Sequence, residues 1–189
     1  EPEPQAPRFL LREDDVKEAY LSLAFPIPDV KHEDVPALDA LSMILGQGES
    51  ARLVVEVKRR ARLVNDISAY AYTPSDPGLF TVSMTLPAEP LVRALEESLV
   101  VLAGACASGP FAKELETVKS LIAAQAIYER ETVQGLARKM GFYESSAGGM
   151  EAEARYYDAV AALSPDDVRR VAEKYMAPSR STLCAILPP

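Results

Sequence analysis

Apolar residues recur along this chain with two different periods, and the switches between them lay out the elements. From Lys17 to Phe25 the pattern alternates around Tyr20, Leu21, Ser22, Leu23 and Phe25, which predicts a half-buried strand ended by Pro26 and Pro28. The period then lengthens. Val35, Leu38, Leu41, Ser42 and Leu45 fall on one face of a helix over Asp34–Leu45, and Gly46 sits where a C′ residue takes positive φ. Gln47-Gly48-Glu49 turns the chain, and Ser50 can cap a second helix to about Ala61 with Leu53, Val54, Val57 and Ala61 inward. Glu56 and Arg60 stand four apart on its outer side, spaced to pair. Asp66–Tyr72 and Leu79–Leu86 return to strands. In the second, Phe80, Val82, Met84 and Leu86 alternate with Thr81, Ser83 and Thr85. The turn formers TPSDPG between them predict an antiparallel hairpin.

After Pro87 the helical period dominates. Pro90–Ala107 places Val92, Leu95, Leu99 and Leu102 inward. Gly109-Pro110 opens a long helix with Leu115, Val118 and Ile122 spaced for burial, and further helices cover about Val133–Ser146 and Glu151–Leu163. Ser164-Pro165-Asp166-Asp167 combines a cap, a proline at the first helical position and acids in the first turn. Val168, Val171, Ala172, Tyr175 and Met176 then hold the spacing of a buried stripe, before a closing strand over Ser181–Leu187. The order, β-α-α-β-β, several helices, then β, is that of an α+β fold: two layers, with helices packed on one face of a mainly antiparallel sheet. Residues 1–16 read as a linker or N-terminal extension, and 17–189 as a single domain.

Composition narrows the function classes. A chain of 189 residues with 48% hydrophobic content can bury a full core. The longest apolar run, Leu99–Ala107, is about half of a membrane span. A net charge of −8 argues against nucleic acid as a partner. The opening EPEPQAPRF carries no signal-peptide pattern, and the first residue is not Met. The chain is therefore expected to be part of a longer polypeptide, with its targeting segment elsewhere and its compartment open. Cys106 and Cys184 lack metal spacing and read as buried thiols rather than a disulfide.

Several stretches resemble one family when taken in order: Ile44–Leu53 (ILGQGESARL), Asp76–Phe80 (DPGLF), Gly109–Lys119, and Leu163–Met176 (LSPDDVRRVAEKYM). Together they are similar to one half of a pitrilysin/insulinase-family zinc metallopeptidase, the inverted H-x-x-E-H group that includes the mitochondrial processing peptidase. The resemblance covers about Ala19 to the end. It implies the half-domain fold of that group, LuxS/processing-peptidase-like. It also implies two homologous halves, in one chain or as paired subunits, with zinc in one half only. This chain looks like the metal-free, C-terminal half, which closes the chamber over a peptide substrate. Its partner would be the catalytic half, which would hold the zinc and the general base; no cofactor is expected here.

The zinc motif needs two histidines one helical turn apart, and this chain has a single His. His32, in Lys31-His32-Glu33-Asp34, reads as a solvated loop residue, which also removes a Ser-His-Asp or Cys-His site. In the family, the metal-free half can lend an Arg from its second helix and, seven residues later, a Tyr that opens the next strand. Both donate to the substrate backbone or oxyanion. Aligning Ser50–Leu63 places these at Lys58 and Asn65. Lysine keeps the charge without the planar fork, and asparagine has a shorter reach than tyrosine. The two residues are either a variant substrate clamp or ordinary surface. The basic cluster Arg52, Lys58, Arg59, Arg60 and Arg62 could face an acidic partner, but reads first as a solvated helix face. Gly46-Gln47-Gly48 is too short for a peptide-binding glycine loop and reads as a helix–helix turn. Phe142-Tyr143 and Tyr156-Tyr157 could line a peptide chamber, though their spacing is that of core. A structural or assembly protein that kept the fold and lost peptidase activity is the alternative function, and a free-standing peptide-binding module is a weaker third.

Overall fold

The computed structural model describes residues 6–189. Five strands form one sheet in the order β1-β5-β2-β4-β3: β1 (Arg8–Glu13), β2 (Ala19–Ile27), β3 (Asp66–Tyr72), β4 (Gly78–Leu86) and β5 (Thr182–Leu187). β2 runs antiparallel to both β4 and β5, and β3 antiparallel to β4; only β1 and β5 are parallel. On β2, Ala19, Leu21, Leu23, Phe25 and Ile27 are all buried, while the residues between them are not. Register sets Leu86, Met84, Val82 and Phe80 of β4 opposite the first four, so one face of the sheet is apolar. Each of the larger side chains, Ala19 aside, contributes roughly 1.5–3 kcal/mol relative to exposure. Helix α1 (Val35–Gly46) covers β3 and β4, and α6 (Pro165–Tyr175) covers β2. Around them lie α2 (Leu91–Ser108), α3 (Ala112–Tyr128), α4 (Val133–Phe142) and α5 (Glu151–Ala162). The four strands expected from the sequence share one sheet, and the hairpin is antiparallel as expected.

Part of the stretch expected as a linker is a strand. All six residues of β1 are exposed, so no burial pattern marks it. Its structure comes from the free edge of β5, through a ladder from Arg8↔Thr182 to Glu13↔Leu187. β2 also outlasts its expected end and passes through Pro26 to Ile27. The β5 ladder stops at Ala24↔Thr182, so Pro26 has a neighbouring strand on one side only and its missing N–H costs no ladder bond there.

The second helix departs most from expectation. Ser50 does not cap it. The chain instead turns at Gly48 (φ +89°), Ala51 N–H donates to Gly48 O, and residues Val54–Arg60 form a π-helical segment. Its wide turn is closed by Ala61 N–H to Glu56 O (2.9 Å) and Leu63 N–H to Val57 O (3.1 Å). Gly46 has no positive φ; it is the last residue of α1, and a Cβ there would overlap the Ala69 backbone of β3. Glycine is needed at that position so that helix and strand can approach closely.

Helix α2 is rotated from its expected face. Ala94, Ser98, Leu102 and Ala105 are buried, while Val92 and Leu99 are exposed at 64% and 40%. The small side chains let α2 approach α6 and the π-helical segment, and Ser98 Oγ donates to Ala94 O at 2.7 Å. Cys106 and Cys184 are separate, half-buried thiols.

Candidate peptide-contact site

β3 lies at one edge of the sheet and pairs with β4 alone. At its head the chain leaves the π-helical segment, passes Arg62 in a left-handed conformation (φ 55°) and enters the strand at Asp66. This short return brings Lys58 and Asn65 to the same end of β3. Lys58 Nζ reaches Asp66 Oδ1 at 2.9 Å, and the neighbouring Asn65 donates its backbone N–H to Thr85 O and its amide to Glu18 Oε2 at 2.9 Å. Both side chains are thus held by carboxylates of the chain. These contacts are exposed, so each contributes ~1 kcal/mol or less and can exchange for another partner.

The basic cluster does not form a common face. Arg52 is drawn inward, where its guanidinium grips Glu114 at 3.0 and 2.7 Å and also donates to Gly109 O. The same carboxylate accepts Phe111 N–H at 2.7 Å, and so caps α3. Burial raises the Glu114 pKa, but the Arg52 bonds outweigh it and hold the carboxyl below its ordinary value. Arg60 pairs with Glu56 at 2.6 Å, and Arg59 donates to Glu49 O.

His32 serves the backbone: its Nδ1 accepts Asp34 N–H at 3.0 Å. Asp34 is fully buried and joins the start of α1 to α6. It receives Lys174 Nζ at 2.8 Å and Tyr175 OH at 2.7 Å, with Arg170 2.7 Å from its other oxygen. Burial opposes its charge, but Arg170, Lys174 and Tyr175 overcome this and hold the carboxyl far below the usual range. Among the described residues no group of three His, Cys, Asp or Glu side chains is placed to hold a metal ion.

Sequence reasoning weighed the paired aromatics as a chamber lining but missed the carboxylate beside them, Asp39. A cavity of about 860 Å³ opens between α1, α3 and α5, near the β3 edge at Ala71 and Thr73. Phe142, Tyr143, Tyr156 and Tyr157 all line it, with edge-to-face contacts at 5.4 Å and 5.2 Å. On its wall stands Asp39, whose Oδ2 accepts Tyr156 OH at 2.8 Å. Burial pushes the Asp39 pKa up to about 6, with the Tyr156 bond working the other way. Burial and the nearby Asp39 charge hold the Tyr156 phenol well above its ordinary range, so it remains a donor. The signal was present in the sequence: Asp39 is the one charged residue in the otherwise apolar α1 segment VPALDALSMILG.

Comparison with known proteins bears on what this site belongs to. Residues 1–122 match the family described as the peptidase M16 inactive domain. The zinc protease PqqE of Helicobacter pylori is 26% identical over 183 residues, spanning 95% of this chain and 40% of that protein. The uncharacterized zinc protease YmxG of Bacillus subtilis is 27% identical over 139 residues, 74% of this chain and 34% of its own length. The chain therefore spans two fifths or less of these relatives. The crystal structure of a protease from Helicobacter pylori superposes with a TM-score of 0.93 at 24% identity, over 99% of this chain and 46% of that one, which shows the shared fold. With well over half of its residues matched, the chain belongs to the peptidase M16 inactive-domain family.

Proposed function

We propose that this half-domain is the metal-free partner in a zinc endopeptidase, closing the chamber over a peptide and contacting it along the β3 edge. The zinc and the general base reside in the catalytic half, which belongs to the same polypeptide or to a paired subunit. The observation that carries the reading is the single-sided pairing of β3 in a chain of this family. An edge strand offers an extended peptide its unpaired N–H and C=O groups. Lys58 and Asn65, at the head of that edge, supply a cation and an amide that can leave Asp66 and Glu18 for the peptide backbone. The position of Lys58 within a π-helical segment fits this role, since such segments recur at functional sites. Residues 17–189 act as one unit, with β1 added to its edge. Both curated relatives are named zinc proteases, which favours this reading over a scaffold that has lost peptidase activity.

The test is the Lys58→Ala/Asn65→Ala double variant in the full-length enzyme. Two charge-assisted or backbone-directed bonds of about 1.5 kcal/mol each predict at least a ~10-fold fall in kcat/KM on a quenched peptide. The melting temperature of this chain should stay unchanged, because both residues are on the surface. Unchanged turnover would remove the clamp. The chain alone should turn over no peptide, and turnover that survives repurification would overturn the metal-free role.

A further inference from the structure

The carboxylate on the cavity wall has no ionic partner. No cation among the described residues forms an ion pair with Asp39. Arg155, exposed on the same wall, pairs instead with Glu151, and Lys31 is also exposed. Asp39 Oδ1 receives no hydrogen bond from the described residues, and it is not sealed away either, since it is absent from the buried atoms left without a partner. One oxygen is therefore fixed by Tyr156 and the other is open to the cavity. A carboxylate placed away from bulk water without a counter-charge costs stability, so filling space is not what it does best. Its surroundings also suit a ligand. Ser42 Oγ donates to Asp39 O and Gln47 Nε2 to Ser42 Oγ, and Gln125 adds a further amide on the facing α3 wall. Four aromatic residues line the rest, and the π-face of such a ring attracts a cation.

We infer that this cavity is a binding site for a cationic head group, an ammonium or guanidinium, held by Asp39 with Tyr156 as the residue that orients it. The inference is independent of the β3 clamp, since it concerns the helix layer and needs neither Lys58 nor Asn65. Two sources share this chemistry: a basic side chain of a peptide and a free amine.

Both are tested on this chain by NMR titration with N-acetyl-lysine amide, N-acetyl-arginine amide and cadaverine, with N-acetyl-norleucine amide as the uncharged control. Small heads of this kind should saturate in the ~mM range. Shifts should centre on α1 and α5, and the control should produce none. Asp39→Asn, nearly isosteric and still able to accept from Tyr156, should weaken binding at least ~10-fold while the chain stays folded by melting. Tyr156→Phe should weaken it less. Tighter binding of the two amides than of cadaverine supports the site and assigns it to peptides; the reverse order supports it and assigns it to free amines. Absence of saturable binding by all three cations, or equal binding by Asp39→Asn, overturns the inference. Neither result bears on turnover by the Lys58/Asn65 variant, so the two readings fail separately.

Discussion

Two aspartates, the buried Asp34 at the entry of α1 and the half-buried Asp39 within it, carry opposite pH signatures. Asp39 has a folded-state pKa raised from 3.8 to about 6. Its ionisation therefore opposes folding: the stability it allows is complete below the unfolded value and lost as pH rises through about 6. Tyr156 from α5 bonds it directly, and the other titratable groups lining the same cavity include Tyr157 and Arg155 from α5, Glu129 from α3, Tyr143 after α4, and Lys31, His32 and Glu33 from the loop before α1. Asp39→Asn should accordingly stabilise the chain at neutral pH, by ~3 kcal/mol at most, and leave it unchanged near pH 4. Urea unfolding of both chains from pH 4 to 8 checks this. A difference that does not grow with pH would refute it. At Gly46 the constraint is steric. Gly46→Ala should cost more than ~2 kcal/mol, because the added methyl would meet the Ala69 backbone and one of the two elements must shift. At Arg62 the constraint is conformational, and Arg62→Gly should be neutral or stabilising by up to ~1 kcal/mol in the same unfolding assay.

Capping decides matters at the scale of elements. Ser164 forms a reciprocal box with Asp167: its Oγ accepts Asp167 N–H at 3.3 Å, and the Asp167 carboxylate accepts Ser164 N–H at 2.9 Å. Ser164→Ala should cost about 1 kcal/mol in thermal unfolding, and a loss below a few tenths would show that the box is redundant. This cap was legible because all its atoms lie within four consecutive residues. The cap of α3 was not, because Glu114 takes its orientation from Arg52, 62 residues earlier. The inward stripe of α6 was legible in the same way, since Val168, Val171, Ala172 and Tyr175 are all buried. On α2 the expected face held for Leu102 but not for Val92 and Leu99, because close approach to α6 and the π-helical segment selects small side chains.

Across the whole molecule, Asp34 joins the beginning of the helical layer to its end, bridging about 140 residues. Its folded-state pKa is depressed, so its contribution is present above the unfolded value of 3.8 and lost as pH falls below it. Asp34→Asn should lower stability at neutral pH by ~3 kcal/mol and remove much of the acid sensitivity below about pH 4. Unfolding that remains equally acid-sensitive would mean that other carboxylates carry it. Among the described residues no helix is long and apolar enough to cross a membrane.

Features that depend on neighbours along the chain were legible before any folding was considered. Alternation on β2 and β4, the helical stripes of α1, α3 and α6, the Ser164 cap and the Glu56–Arg60 pair all follow from local spacing, as do the signature stretches that resemble the family. Features that depend on residues far apart emerged only in the folded chain. β1 is a strand because β5 has a free edge, and Gly46 is fixed by Ala69. The basic residues of 52–62 separate because Glu114 and Asp66 draw two of them apart. Asp39 faces a cavity only once α3 and α5 have closed around α1. The physical reason is the same throughout: dihedral preference and periodicity are local, whereas desolvation, steric overlap and charge pairing are set by whichever distant residue the fold brings within a few ångströms.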